Sequence, residues 1–123
     1  MITCRVHPGE VGSSHSLNGM IEFLLSGALD ARKMLEEFYF LIVPILNPDG
    51  VYNGNNRMDM LGQNLNRFYL LPDVEKQPSC FAVKEILEST RQQLFAFFDL
   101  HGHANKKSCF LFGNSITNQR LQI

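Results

Sequence analysis

Apolar residues change their spacing repeatedly along the chain, and each change predicts an element. Residues 2 to 6 form a short apolar run that predicts a strand, delivering His7 into a turn made by Pro8 and Gly9. From Ser13 onward, Leu17, Met20, Ile21, Leu24 and Leu25 recur at three- and four-residue spacing, so a helix is expected with Ser13 or Ser14 as its cap and Gly27 at or near its end. A second helical piece from about Asp30 to Glu37 leads into Phe38-Tyr39-Phe40-Leu41-Ile42-Val43. That continuous, partly β-branched run predicts a strand buried on both faces and closed by Pro44. Between Pro78 and Leu94, the positions Val83, Ile86, Leu87, Thr90 and Leu94 mark one helical face. Phe95 to Leu100 then reads as another buried strand, and Ser108 to Phe112 as a last one. The alternation predicts an α/β fold, a sheet with helices on its faces and functional groups gathered at strand ends.

Residues 45 to 77 break the pattern. They carry Asn47-Pro48-Asp49-Gly50 and five more asparagines between 53 and 66. A loop of this length is uncommon in a compact domain and is usually functional. Asn47-Pro48-Asp49-Gly50 itself reads as a structural turn that shapes a site. With 123 residues, 45% of them hydrophobic and 19% charged, the chain has the composition of one globular domain. A formal net charge of -1 gives no basic excess and argues against a nucleic-acid binder. Cys4, Cys80 and Cys109 are widely spaced, which suggests neither a disulfide framework nor a thiolate metal site and favours a reducing, intracellular setting. The first residues lack the apolar core of a secretory signal, and no stretch has the length of a membrane span.

The candidate chemistry lies at two predicted strand ends. His7 and Glu10 are separated by two residues that make a tight turn, so an imidazole and a carboxylate can reach one ion. Such a pair is weak evidence alone, because it arises by chance in many chains. Far downstream, Asp99-Leu100-His101-Gly102-His103 places a polar cluster after an aromatic strand, at a cost unless it is used. One of its two histidines is expected to be a ligand. His101 is assigned that role and His103 is left to shape the pocket, while His15 is expected to be an exposed helical residue. Two ligands from one loop and a third from a distant strand end leave a fourth position open, which distinguishes a catalytic zinc from a structural one.

His7-Pro8-Gly9-Glu10, Asn47-Pro48-Asp49-Gly50, Asn64-Leu65-Asn66-Arg67 and Asp99-Leu100-His101-Gly102-His103 occur in the order found in zinc metallocarboxypeptidases of the carboxypeptidase A type. The chain resembles the cytosolic carboxypeptidase branch of that family. Arg57-Met58-Asp59, Leu71-Pro72-Asp73, His101 to Lys107 and Gly113-Asn114-Ser115 are similar to its type-5 subfamily of protein deglutamylases. The resemblance implies a partial mixed sheet of the carboxypeptidase A-like fold, one zinc ion held by His7, Glu10 and His101, and a substrate carboxylate bound by Asn66 and Arg67. It implies that Arg57 polarises the scissile carbonyl. It further implies that glutamates, including branch-point ones, are removed from protein tails, with tubulin as the partner, in the cytoplasm and on microtubules.

Two departures from the family pattern stand out. Asn64 occupies a place where many of these enzymes have an aspartate behind the first zinc histidine; it can still fix the imidazole tautomer but lacks the charge that raises ligand basicity. The family's general-base glutamate comes from a late strand that this chain is not expected to contain: Glu22, Glu36, Glu37, Glu85 and Glu88 fall on predicted helices and Glu75 in a loop. Residues 1–123 therefore read as the N-terminal part of a catalytic domain, truncated on its C-terminal side. Two other readings keep the metal. One is a deacylase of the aspartoacylase type, which shares the HxxE and later histidine. The other is a noncatalytic zinc-bound module that holds acidic protein tails through Arg57, Arg67, Lys106 and Lys107.

Overall fold

The computed structural model describes residues 1–113. Three strands, β1 (Ile2–Cys4), β2 (Ile42–Val43) and β3 (Phe98–Leu100), form one sheet in the order β2-β1-β3, with both pairings parallel. Parallel neighbours need crossover connections. Helices α1 (Val11–Leu25) and α2 (Leu29–Glu37) link β1 to β2, and α4 (Pro78–Ser89) precedes β3.

Alternation along β1 sends its side chains to two cores. Ile2 and Cys4 pack with Leu17 of α1, joined by Ile21, Phe40, Ile42 and Leu100. Met1 and Val43 pack instead against Val6, Leu46, Leu65 and the α4 residues Cys80 and Val83. The sheet is thus covered on one face by α1 and on the other by α4, as the sequence pattern anticipates. Leu17 and Leu46 are almost fully buried, and each contributes about 1.5–3 kcal/mol relative to exposure.

Several boundaries differ from expectation for identifiable reasons. Helix α1 begins at Val11, three or four residues early, with Glu10 rather than Ser13 or Ser14 at its cap position. The Ser13 hydroxyl donates back to the Glu10 carbonyl at 2.6 Å, so Ser13 serves the first turn from inside. Ser26 ends the helix, and Gly27 takes the left-handed conformation (φ 75°) that favours glycine just beyond a helix end. Met20 and Leu25 are exposed rather than on the buried face.

The apolar runs 38–43 and 95–100 are not strands buried on both faces. Only Ile42–Val43 and Phe98–Leu100 pair, because the central β1 is three residues long and offers no more ladder. Tyr39, Leu41, Phe95, Phe97 and Phe98 are exposed, and Phe38 packs on Phe95 at 4.8 Å between ring centroids instead. Ser108 to Phe112 forms no strand; Phe110 and Phe112 fold against each other and against His103. Helix α4 stops at Ser89, short of Leu94.

The asparagine-rich segment is not structureless. Asn47 caps a one-turn helix, α3 (Pro48–Tyr52), by accepting from the Gly50 N–H at 3.0 Å, with Pro48 in the first turn where it needs no donor. A 3-10 turn, Leu65–Arg67, is capped in the same way by Asn64. All three cysteines are free, with Cys4 and Cys80 buried and Cys109 exposed. No helix among the described residues is long and apolar enough to cross a membrane.

Candidate metal centre

The chain leaves β1 through Arg5, a non-glycine residue at φ 56°. Such a conformation costs about 1–3 kcal/mol and persists only where neighbours enforce it. Here the Arg5 guanidinium donates to the Pro8 carbonyl from Nε (3.0 Å) and Nη2 (2.6 Å) and to Ser14 Oγ (2.9 Å), pinning the His7–Glu10 turn against α1. Gly9 closes the turn from the other side: its N–H donates to the Asn56 carbonyl at 2.7 Å, and a Cβ there would lie 2.7 Å from that same oxygen. His7, only 2% exposed, is thereby fixed beside Glu10.

Hydrogen-bond partners then decide which ring nitrogens face the centre. Asn64 Oδ1 accepts the Asn66 N–H at 3.2 Å, so it is an acceptor toward His7 Nε2 as well, at 3.0 Å. His7 Nε2 must carry the proton. Asp99 Oδ2 accepts from His101 Nε2 at 2.7 Å, so that ring is protonated on the same atom. In the neutral rings both Nδ1 atoms therefore turn lone pairs toward Glu10, at 2.8 Å from Oε1 for His7 and 3.3 Å from Oε2 for His101. Three acceptors converging in this way call for a cation between them, and their donor atoms all lie within 4.8 Å of one another. Imidazole nitrogens with one carboxylate suit zinc. The Gly102 N–H donates to Glu10 Oε2 at 2.6 Å, which orients the carboxylate and ties the two strand-end loops together.

Charge around the centre is uneven. Asn64 gives His7 a neutral acceptor, whereas His101 has the Asp99 carboxylate. The hydrogen bond to Asp99 is the main cause that raises the His101 pKa in the metal-free chain, with burial opposing it and the charges of Asp99 and Glu10 adding to it. Asp99 is held in turn by Thr3 Oγ1 (2.7 Å) and by the Tyr69 hydroxyl (3.4 Å). Burial first, and the Asp99 charge second, push the Tyr69 hydroxyl well above its ordinary range, so it remains a donor.

Of the other residues singled out in the sequence, Arg57 reaches the centre, with Nη1 3.8 Å from Glu10 Oε1 and the side chain about half exposed. Asn66 and Arg67 sit on the 3-10 turn that Asn64 caps; Asn66 is half-buried, and Arg67 is exposed with Nη1 donating to the Asn66 carbonyl at 3.1 Å. His103 is not part of the centre. It is exposed, accepts from the Asn105 N–H and packs on Phe110. His15, Lys106 and Lys107 are exposed too. Sequence reasoning missed Arg5, Thr3, Tyr69 and the Asp99 contact; the only advance signal was the place of Asp99 two residues before His101.

A family model described as zinc carboxypeptidase matches residues 1–118. Cytosolic carboxypeptidase 6 of Caenorhabditis elegans is 44% identical over 117 residues, covering 92% of this chain and 26% of that protein. Human cytosolic carboxypeptidase 4 is 45% identical over 119 residues, covering 94% of this chain and 11% of its own length. This chain thus spans about a quarter or less of these relatives. Among solved structures, a putative carboxypeptidase A from Shewanella denitrificans superposes with a TM-score of 0.77 at 34% identity, over 83% of this chain and 27% of that one. A metallo-carboxypeptidase from Pseudomonas aeruginosa, in complex with (2-guanidinoethylmercapto)succinic acid, gives 0.69 at 32% identity over 83% and 27%.

Proposed function

The chain belongs to the zinc carboxypeptidase family, and from that premise we propose that His7, Glu10 and His101 hold one zinc ion in a carboxypeptidase that removes glutamates from protein tails, tubulin among them. The observation that carries the metal assignment is the convergence of two Nδ1 lone pairs on the two Glu10 oxygens. Bound zinc would supply Lewis acidity toward a scissile carbonyl. Arg57, whose Nη1 lies 3.8 Å from Glu10 Oε1, would stabilise negative charge developing on the acyl oxygen. Removing such a donor costs about 2.7–4 kcal/mol where it has been measured. The Arg67 guanidinium offers a fork for the terminal carboxylate of the substrate, and Asn66 a neutral donor beside it.

The similarity to cytosolic carboxypeptidases supports a protein rather than a free peptide as substrate and a cytoplasmic site of action; action on microtubules follows from the tubulin reading alone. The Pseudomonas aeruginosa metallo-carboxypeptidase was solved with a guanidino-bearing succinic acid derivative, a ligand that carries carboxylates. The type-5 motifs point to branch-point as well as linear glutamates. The deciding experiment measures zinc content and glutamate release from polyglutamylated tubulin, for the protein as naturally expressed and for His101→Ala. One zinc per chain and release in the wild type, with both lost in the variant, is expected. Folded protein without zinc would overturn the metal centre; zinc without glutamate release would overturn the substrate.

A further inference from the structure

We propose that Asp99 is a positioning residue that fixes His101 for metal binding and supplies, behind this second histidine, the negative charge that Asn64 does not supply behind the first. The inference rests on the metal reading above and extends it to residues outside the ligand set. Its basis is a hydrogen-bonded line across the sheet. Parallel pairing places Thr3 opposite Asp99, and the Thr3 hydroxyl donates to Asp99 Oδ1 at 2.7 Å. The other oxygen, Oδ2, takes the Tyr69 hydroxyl at 3.4 Å and His101 Nε2 at 2.7 Å. Thr3 is fully buried and Tyr69 packs against the core on the α4 side, so the carboxylate is supported by rigid elements on one side and the imidazole on the other.

A carboxylate in that position does two things for a metal-binding imidazole. It holds the proton on Nε2, leaving Nδ1 free, and its charge raises the electron-donating power of the ring. Asn64 does only the first for His7. The ligand set therefore has one charge-supported and one charge-neutral histidine, and the supported one is carried by β3 rather than by the β1 loop. Asp99→Asn is close to isosteric and removes the charge alone. Adding Asn64→Asp moves the charge to the other histidine without restoring anything at position 99.

The test is zinc competition titration of the full chain as wild type, Asp99→Asn, and Asp99→Asn/Asn64→Asp, with folding checked by circular dichroism. Loss of a partner behind a ligand typically costs about 10- to 100-fold in metal affinity, and that loss is expected for Asp99→Asn. The double variant should recover much of it, which a purely structural role for Asp99 would not allow. Nitrogen-15 NMR of the metal-free chain, at a pH high enough to keep the ring neutral, should also show His101 as the single Nε2–H tautomer in the wild type and as a mixture in Asp99→Asn. A wild type that takes up no zinc overturns the metal reading itself. Tight wild-type binding, unchanged in folded Asp99→Asn, overturns the role of Asp99 alone. Should Asp99→Asn fail to fold, Thr3→Val removes the 2.7 Å donor and is expected to weaken zinc in the same direction by less; unchanged affinity there overturns the proposal.

Discussion

Gly9→Ala should damage this protein far more than a methyl group suggests. The added Cβ would meet the Asn56 carbonyl oxygen at 2.7 Å and the Asn56 Cα at 3.2 Å, and both are backbone atoms that cannot rotate aside. The Gly9 N–H is bonded to that same oxygen, so relieving the clash separates the two loops and breaks the bond. Overpacking of this kind costs about 1–3 kcal/mol, and the lost hydrogen bond about 1 kcal/mol more. Together the expected destabilisation is about 2–4 kcal/mol. The control is Gly19→Ala on the exposed face of α1, where nothing lies within 4 Å of the added carbon. There alanine is the better helix former, and a gain of about 0.5–1 kcal/mol is expected. The assay is urea denaturation of the metal-free chain followed by circular dichroism. With a slope of about 1–3 kcal/mol per molar urea, the midpoint for Gly9→Ala should fall by roughly 1–2 M while that for Gly19→Ala rises. Equal midpoints for Gly9→Ala and wild type would refute the close approach of the two loops on which the placement of His7 depends.

Arg57→Ala should leave zinc content unchanged while lowering kcat by about 10²- to 10³-fold; equal loss of metal and turnover would mean that it acts by holding Glu10. Chelation should destabilise the protein, because a ligand bound only by the folded state contributes about 2.7 kcal/mol at a hundredfold excess over its Kd; an unchanged melting temperature with EDTA argues against a bound metal. Burial first, and the charges of Asp99 and Asp59 next, push the Cys80 thiol up to about 11, so it should resist iodoacetamide at pH 8 while exposed Cys109 reacts. A thiol whose pKa is raised on folding stabilises the fold fully below the unfolded value and loses that contribution as pH climbs from about 9 to about 11. Folded-state stability should therefore decline across that window, and less so in Cys80→Ala. Leu17→Ala, at the contact between α1 and β1, should cost about 2–5 kcal/mol by the same denaturation assay.

The helices and the two strand ends were legible in the sequence because spacing reports directly on faces. Leu17, Leu24, Cys80 and Val83 all lie buried on the expected elements. Strand lengths were not, since apolar runs do not reveal how much ladder a neighbour offers, and Phe38 to Phe40 are apolar without lying in a strand. His7, Glu10 and His101 were readable as a candidate ligand set from the HxxE turn and the later histidine, and the fold does bring their donor atoms within 4.8 Å of one another. Thr3 was not, because its link to Asp99 spans 96 positions and exists only through the parallel register. Arg5 was also hidden: nothing in its local sequence shows that it takes a left-handed conformation to clamp the Pro8 carbonyl.

Strands this short could not alone hold His7, Glu10 and His101 in the close grouping the structure shows. The asparagines resolve this, because each amide offers a donor and an acceptor that can join two backbones no ladder connects. Asn47 donates to the Val6 carbonyl while accepting from Gly50, Asn56 receives Gly9 through its backbone, and Asn64 receives both His7 and Asn66. Gly50 has no room for a Cβ, which would lie 2.5 Å from Pro8 Cγ, so α3 also presses directly on the ligand turn. The segment that broke the sequence pattern is thus the scaffold of the centre. Its asparagines hold in place, by side-chain and main-chain hydrogen bonds, a loop that three paired residues of β1 could only aim.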